Sequence, residues 1–178
     1  MRALVITTNY GTEQDELLSP AKALKDAGAE VTVAATEDAP IKTLVSDQDP
    51  GETLTPDAAI GAVSHRDFDL LVIPGGTINA DSLRLNEPAQ ELVKAFAADG
   101  KTIAAICHGP WLLVETGLVS GKQLTSYASV ATDIRNAGGL WHDRGLVTCD
   151  HNGWTLITSR SPQDLPAFNA ALTALAQA

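Results

Sequence analysis

Apolar residues occur along this chain in short runs rich in β-branched and aliphatic side chains, a pattern typical of buried strands. The runs that predict strands are 3–8, 30–35, 70–73, 102–106, 123–127, 146–149 and 154–159. Between them, apolar residues recur three and four positions apart, which predicts helices. The predicted helices span 13–28, 88–100, 111–117, 130–137 and 162–176. Strands that alternate with helices favour an α/β, doubly wound, mostly parallel sheet with right-handed crossovers and helices on both faces.

Three segments are less regular, and we expect them to connect the main elements. Residues 9–12 predict a turn, and 77–87 predict a loop or a short helix. The acidic stretch 37–69 contains two short apolar runs, at 42–45 and 52–55, which predict a small hairpin on the edge of the sheet, and 58–62 predict a helical turn. The aspartates of this stretch fit a solvated surface, because they lack the His and Cys spacing of a metal site.

A thiol lies where a predicted strand turns into a helix. Cys107 ends the buried run 102–106, and the sequence Cys-His-Gly-Pro leads into the helix at Trp111. This is the layout of a nucleophile elbow, which needs small flanking residues such as Ala105 and Gly109. Free N–H groups at a helix start favour a thiolate, so we expect a lowered thiol pKa and a functional Cys107. His108 follows as a proton acceptor or a positive neighbour.

A second strand end carries two glycines, Gly75 and Gly76, after the buried run 70–73. In a parallel sheet the carboxyl ends of strands share one edge, where ligands bind. The N–H groups of Gly76 and His108 are therefore candidates for an oxyanion hole beside Cys107. A plain strand-to-loop turn is the alternative interpretation of the glycine pair.

Composition narrows the class of protein. We expect 1–178 to form one domain, since 178 residues suit a single core and no linker or repeat is visible. Two cysteines make no disulfide framework, and the first residues lack a signal peptide pattern, so we expect a cytoplasmic protein. The net charge of −10 argues against nucleic acid or an anionic membrane as a main partner. Cys149 is expected to be a buried, inert thiol.

Several motifs resemble the PfpI family of the class I glutamine-amidotransferase-like superfamily, which also contains the Parkinson-associated protein deglycase. The matching residues are Leu71-Val-Ile-Pro-Gly-Gly, Arg84-Leu-Asn-Glu, Ala105-Ile-Cys-His-Gly-Pro, Ser126-Tyr with Asp133 and Asn136-Ala-Gly, and Ser159-Arg-Ser-Pro-Gln-Asp-Leu. They cover nearly the whole chain in the family's order. The resemblance implies a flavodoxin-like fold, a cysteine nucleophile, and assembly into homodimers or hexamers. The sequence contains no cofactor motif and no metal-ligand spacing, so we expect neither a cofactor nor a metal.

The resemblance also implies a role for individual residues. Cys107 matches the reactive cysteine, His108 the histidine after it, and Gly76 the oxyanion-hole glycine. Glu13 matches the helix-start glutamate that approaches the thiol. Because like charges repel, a carboxyl beside a thiolate is expected to bind a proton, with which it would donate a hydrogen bond to sulfur or move protons during a reaction. Asp81 matches a glutamate that a neighbouring subunit contributes in peptidase members; since Asp is one methylene shorter, either its loop moves closer or the triad is incomplete.

Three functions compete at this stage. The first is a stress-protection enzyme that acts on methylglyoxal, glyoxal or early glycation adducts, as a deglycase or glyoxalase-like enzyme with a small carbonyl or a glycated protein as its partner. The second is an intracellular cysteine peptidase of the PfpI type, and the third is a non-enzymatic sensor that oxidises at Cys107. We favour the first. His142 and His151 remain alternative bases, should His108 point away from the thiol.

Overall fold

Twelve strands and six α-helices form in the computed structural model, which describes residues 1–178. The strands are β1 (Arg2–Thr7), β2 (Tyr10–Glu13), β3 (Glu30–Ala35), β4 (Ile41–Val45), β5 (Asp49–Leu54), β6 (Ala58–Ala59), β7 (Leu70–Ile73), β8 (Thr102–Ile106), β9 (Gln123–Leu124), β10 (Leu140–Trp141), β11 (Val147–Cys149) and β12 (Leu156–Ser159). The helices are α1 (Gln14–Asp26), α2 (Thr77–Leu83), α3 (Glu87–Ala98), α4 (Trp111–Glu115), α5 (Ala131–Asn136) and α6 (Leu165–Gln177). None of the helices has the length and apolar character needed to cross a membrane.

A seven-stranded sheet forms the centre, in the order β11-β12-β8-β7-β1-β3-β6. All neighbouring strands pair in parallel except β11, which runs antiparallel to β12. Alternate residues of β1 enter different cores, because side chains on a strand point to opposite faces. Leu4 and Ile6 pack with α3, α4 and α5 on one face, whereas Ala3 and Val5 pack with α1 and α6 on the other. The predicted flavodoxin-like, doubly wound architecture is confirmed.

The hairpin predicted in the acidic stretch exists, but it does not extend the edge of the central sheet. Strands β4 and β5 pair antiparallel, and β4 also pairs in parallel with β2, giving a separate three-stranded sheet. Most of the turn expected at 9–12 is therefore strand β2, in which Tyr10 pairs with Lys42 and Glu13 with Leu44. The central sheet ends instead at the two-residue strand β6. The helical turn expected at 58–62 is present as a 3-10 turn, limited to Ile60–Ala62. Short-range pattern alone does not reveal such pairing between distant segments.

Two strand ends meet at the edge of the sheet that carries the thiol. Ile73 in β7 pairs with Ala105 in β8, so these strands end almost level with each other. The chain after β7 begins with Pro74, and the chain after β8 begins with Cys107. The glycine pair and the thiol therefore lie side by side, as expected for carboxyl ends of parallel strands.

Candidate active site

The backbone of Cys107 has the strained conformation of a nucleophile elbow. Its φ is +62°, a left-handed value that is uncommon for a residue with a Cβ. Two neighbouring segments hold it, because its N–H donates to the Ser159 carbonyl at 3.0 Å and its carbonyl accepts from Tyr127 N–H at 2.8 Å. Gly109 has no room for a side chain, since a Cβ there would lie 2.6 Å from the Ile73 carbonyl oxygen. The elbow expected from the sequence is present.

The Cys107 thiol borders a cavity of about 590 Å³. The cavity is lined by Glu13, Glu16, Ser46, Asp47, Gly76, Thr77, Cys107, His108, Trp111, Tyr127, Ser129 and Pro162. Only 6% of the Cys107 surface is exposed, so the thiol is buried at the floor of an open depression. Small ligands can reach such a thiol more readily than a folded polypeptide can.

The carboxyl group that contacts the thiol is that of Glu16, not that of Glu13 as the resemblance implied. Glu16 is fully buried, its Oε2 accepts the Gly75 N–H at 2.7 Å, and the carboxyl interacts with the Cys107 thiol. Its other oxygen, Oε1, lies buried without an N–H or O–H partner. Gly75 has no space for a Cβ, which would lie 2.5 Å from Glu16 Oε2 and 2.7 Å from the Cys107 Cβ.

This correction follows from where the strand ends. Strand β2 continues through Glu13, so helix α1 begins at Gln14 and Glu16 falls in its first turn. Glu16 shares one face of α1 with Pro20 and Leu24, which are also buried and follow at four-residue spacing. A glutamate on the apolar stripe of a helix was the signal in the sequence. A buried carboxyl needs a specific reason, and here the reason is contact with the thiol.

Burial sets the protonation of this pair. Burial raises the pKa of Glu16 to about 8, against the lowering effect of its hydrogen bonds with Cys107 and Gly75. Burial, together with the charge of Glu16, also raises the pKa of the Cys107 thiol. The lowered thiol pKa expected from the helix start is therefore wrong, because desolvation outweighs the N–H groups that favour the thiolate. Near neutral pH the Glu16 carboxyl is protonated and able to donate a proton.

His108 is oriented by contacts on both ring nitrogens. Its Nδ1 lies 3.1 Å from the Cys107 sulfur, and its Nε2 lies 3.2 Å from the Ser129 hydroxyl. The ring stacks on Tyr127 with 4.7 Å between centroids and meets Trp111 edge-on. Burial lowers the pKa of His108, so the imidazole is neutral at neutral pH and can accept a proton from the thiol.

The N–H groups of Gly76 and His108 both interact with the Cys107 sulfur and favour its thiolate form. Gly76 has a φ of +87° and lies directly before the first residue of α2. Two N–H groups beside the same sulfur would also face an oxygen on a carbon bonded to that sulfur. The geometry therefore supports the expected oxyanion hole.

Replacing Gly76 by alanine is expected to lower the free energy of unfolding by about 2–4 kcal/mol. The new Cβ would lie 2.6 Å from Glu13 N, and the residue has a left-handed φ that alanine disfavours. Urea unfolding measures the change. Gly61→Ala is the matched control, because a Cβ at Gly61 meets nothing within 4 Å. Equal stability of the two variants would contradict the close approach described here.

The Glu13 carboxyl has a different role in the same cavity. Its two oxygens accept the N–H groups of Ser46 and Asp47, at 3.0 and 3.2 Å. Ser46 and Asp47 form the turn between β4 and β5, so Glu13 fixes this turn beside the thiol. Glu13 thus lines the cavity and supports its wall, while Glu16 contacts the sulfur.

The remaining candidate residues lie away from the thiol in this chain. Asp81 is exposed on α2 and does not line the cavity, so its part in a triad stays a prediction that requires a second copy of the chain. His142 and His151 also lie outside the cavity. Cys149 is a buried free thiol in β11, and its sulfur accepts the Gln123 N–H at 3.4 Å.

The fold and the site together define a class of protein: α/β domains in which a cysteine occupies the elbow between a central parallel strand and a helix. Within that class, the chain belongs to the DJ-1/PfpI family, whose profile matches residues 1–175.

Named relatives and a solved structure agree with this assignment. The chain is 40% identical to General stress protein 18 of Bacillus subtilis over 98% of this chain and 97% of that protein. It is 37% identical to Deglycase PfpI of Pyrococcus furiosus, over 94% of this chain and 95% of that protein. The crystal structure of Drosophila melanogaster DJ-1beta superposes with a TM-score of 0.87 at 31% identity, covering 98% of this chain and 89% of that one.

Proposed function

We propose that this protein is a Cys107-dependent enzyme that converts small α-oxoaldehydes, such as methylglyoxal and glyoxal, or their early adducts on amines and thiols, into hydroxyacids. One observation carries the proposal: a buried carboxyl, a neutral imidazole and two N–H groups surround a single thiol in a small open cavity. The relative named Deglycase PfpI supports the same class of reaction.

An early adduct first returns to the free aldehyde: its hydroxyl proton passes to the amine or thiol, which leaves as the C–N or C–S bond breaks. The next step is addition of the Cys107 thiol to the aldehyde. As the Cys107 sulfur bonds to the aldehyde carbon, His108 Nδ1 accepts the thiol proton across their 3.1 Å contact. The protonated Glu16 carboxyl donates its proton to the aldehyde oxygen, and the N–H groups of Gly76 and His108 stabilise the charge that develops there. The product is a hemithioacetal.

The step after addition moves hydrogen within the substrate. The Glu16 carboxylate now removes the proton from the former aldehyde carbon and returns it to the neighbouring ketone carbon, while the hydroxyl proton passes to the ketone oxygen. The aldehyde carbon is oxidised to a thioester and the ketone carbon is reduced to an alcohol, so no external oxidant or reductant is required.

Water then hydrolyses the thioester. Its hydroxyl bonds to the acyl carbon, the remaining water proton goes to the Glu16 carboxylate, and the Cys107 sulfur leaves with the proton held by His108. The hydroxyacid departs, and all three groups return to their starting protonation.

Peptide hydrolysis has less structural support. A peptidase needs a carboxylate that orients the histidine, yet His108 Nε2 contacts the Ser129 hydroxyl and Asp81 is exposed elsewhere. Such an acid would have to come from another subunit in a homodimer or a hexamer, as the family resemblance implies.

The test is a direct comparison of three activities on the purified protein. We expect lactate from methylglyoxal without added glutathione, measured by NMR, and release of lactate from methylglyoxal adducts of N-acetyl-lysine. A fluorogenic peptide tests the peptidase alternative, and mass gain at Cys107 in dilute peroxide tests the sensor alternative. Peptide cleavage without lactate, or rapid Cys107 oxidation without any turnover, would overturn the proposal.

A further inference from the structure

The turn between β4 and β5 has an unusual backbone conformation, and a residue outside the hairpin, Glu13, binds it. Ser46 and Asp47 both have left-handed φ values, 56° and 58°, in a turn where glycine or asparagine is preferred. Two successive left-handed residues point their N–H groups into a small anion-binding concavity, and the Glu13 carboxylate occupies it. A strained turn persists where its surroundings fix it, so its position is imposed by the site and not by the hairpin alone.

The same turn brings a carboxylate to the wall of the thiol cavity. Asp47 lines the cavity, and its carboxylate accepts the Thr77 N–H at 2.9 Å and the Thr77 hydroxyl at 2.6 Å. These contacts attach the turn to the start of α2, directly after Gly76. The charge of Asp47 reaches the reacting groups, since it opposes the effect of burial on the pKa of His108.

No lysine or arginine lines this cavity. Glu13 and Asp47 supply carboxylates, and the Glu16 carboxyl is buried on the floor with Oε1 unpartnered. The nearby guanidinium of Arg84 lies over the Trp111 ring, but it is paired with Glu115 at 2.9 Å. An anionic ligand beside the thiol would therefore meet negative charge with no compensating cation.

We propose that the Ser46–Asp47 turn, held by Glu13 and Thr77, is a charge-selecting wall of the cavity. The negative charge of Asp47 allows neutral and cationic carbonyl compounds to reach Cys107 and excludes anionic ones. Resting on the proposed function, this assigns the substrate class: neutral dicarbonyls, and adducts carried on cationic side chains such as those of lysine and arginine. Phosphorylated and carboxylated carbonyls fall outside it. Asp47 sets specificity, and Glu13 is a positioning residue that acts through it.

The decisive experiment measures charge selection without requiring turnover. Iodoacetamide and iodoacetate have nearly the same size and both alkylate Cys107, forming a C–S bond with loss of iodide, but only iodoacetate is anionic. The ratio of their rates, iodoacetate over iodoacetamide, cancels the fraction of thiolate. Asp47→Asn is expected to raise this ratio about fivefold at pH 7 and low salt, the effect of one charge at the cavity wall.

Three controls separate charge from other causes. Asp49→Asn makes the same change in the same hairpin. Asp49 is exposed, as Asp47 is, but it does not line the cavity, so the ratio is expected to stay almost unchanged. Asp47→Glu keeps the charge and is expected to keep the ratio low. Added salt is expected to raise the iodoacetate-to-iodoacetamide rate ratio far more for the unmodified protein than for Asp47→Asn, because salt screens the negative charge of Asp47. An unchanged ratio in Asp47→Asn, or an equal rise in Asp49→Asn, would overturn the proposal.

A substrate pair extends the test to catalysis. The unmodified protein is expected to prefer phenylglyoxal over 4-carboxyphenylglyoxal in kcat/KM, and Asp47→Asn is expected to reduce this preference by a similar factor of about five. Turnover of neither compound would contradict the proposed function, whereas the alkylation ratio would still decide whether the wall selects charge.

Discussion

Replacing Cys107 by alanine is expected to reduce lactate formation from methylglyoxal by about 10³-fold or more, to the level of the buffer. The thiol forms the covalent intermediate in every step proposed above, so no other group in the cavity substitutes for it. Alanine removes only a sulfur that borders open space, and the backbone contacts of Cys107 with Ser159 and Tyr127 remain. Lactate measured by NMR, with unfolding by urea as a check on folding, gives the result.

The matched control for this variant is Cys149→Ala. Cys149 is the other free thiol of the chain, it is buried in β11, and it does not line the cavity. We expect its activity to stay within about twofold of the unmodified protein, because a buried structural thiol behaves as a small apolar residue. Activity that survives in Cys107→Ala, or that disappears in Cys149→Ala, would remove the basis for a Cys107 mechanism.

Replacing Glu16 by glutamine is expected to lower kcat for methylglyoxal by about 10²-fold or more, the usual contribution of a positioned proton donor and acceptor. The pKa of Glu16 is raised to about 8, so its protonated form predominates at neutral pH and is lost as the pH rises through 8. Activity of the unmodified protein should therefore fall above about pH 8, a limb that Glu16→Gln lacks. Asp15→Asn, on an exposed residue of the same helical turn, is the control and should retain activity.

The same substitution is expected to change how stability depends on pH. A carboxyl with a raised pKa in the folded state binds its proton more tightly there than in the unfolded chain, where its pKa is 4.5. Its contribution to stability is complete below that value and is lost as the pH rises through about 8. Between pH 5 and pH 9, the free energy of unfolding of the unmodified protein should fall by on the order of 4 kcal/mol relative to that of Glu16→Gln, measured by urea unfolding. If the free energies of unfolding of the two proteins changed with pH in parallel, Glu16 would not be buried in its protonated form.

The proposed charge-selecting wall and the proposed reaction place different demands on the three acids of the cavity. Glu16 must be protonated to act as a donor, and complete burial keeps it so. Glu13 must hold the Ser46–Asp47 turn, and two N–H groups satisfy it. Asp47 must present charge to the cavity while its own contacts bind it to Thr77. Carboxyl groups of similar chemistry thus serve distinct purposes because their surroundings differ.

Local patterns in the sequence determined the parallel sheet, the elbow at Cys107 and the glycine pair beside it. Each of these depends on neighbours in the chain: an apolar strand, small residues at a strained turn, and glycines where a strand ends. The sequence showed Glu16 on the same helical stripe as Pro20 and Leu24, but it did not show which acid reaches the thiol. Strand β2 pairs with β4, and this distant pairing places Glu13 against the Ser46–Asp47 turn instead. Both glutamates are buried, but Glu16 contacts the thiol, whereas Glu13 holds the Ser46–Asp47 turn.

From the order of residues along the chain, a thiol at a strand-to-helix turn could be predicted, together with the edge of the sheet at which it lies. The protonation of the groups around that thiol and the charge in its cavity follow from packing in three dimensions. Both depend on burial and on contacts between segments far apart in the chain, such as Glu13 with Ser46 or Glu16 with Gly75. Desolvation is a property of the packed molecule, and no run of neighbouring residues encodes it.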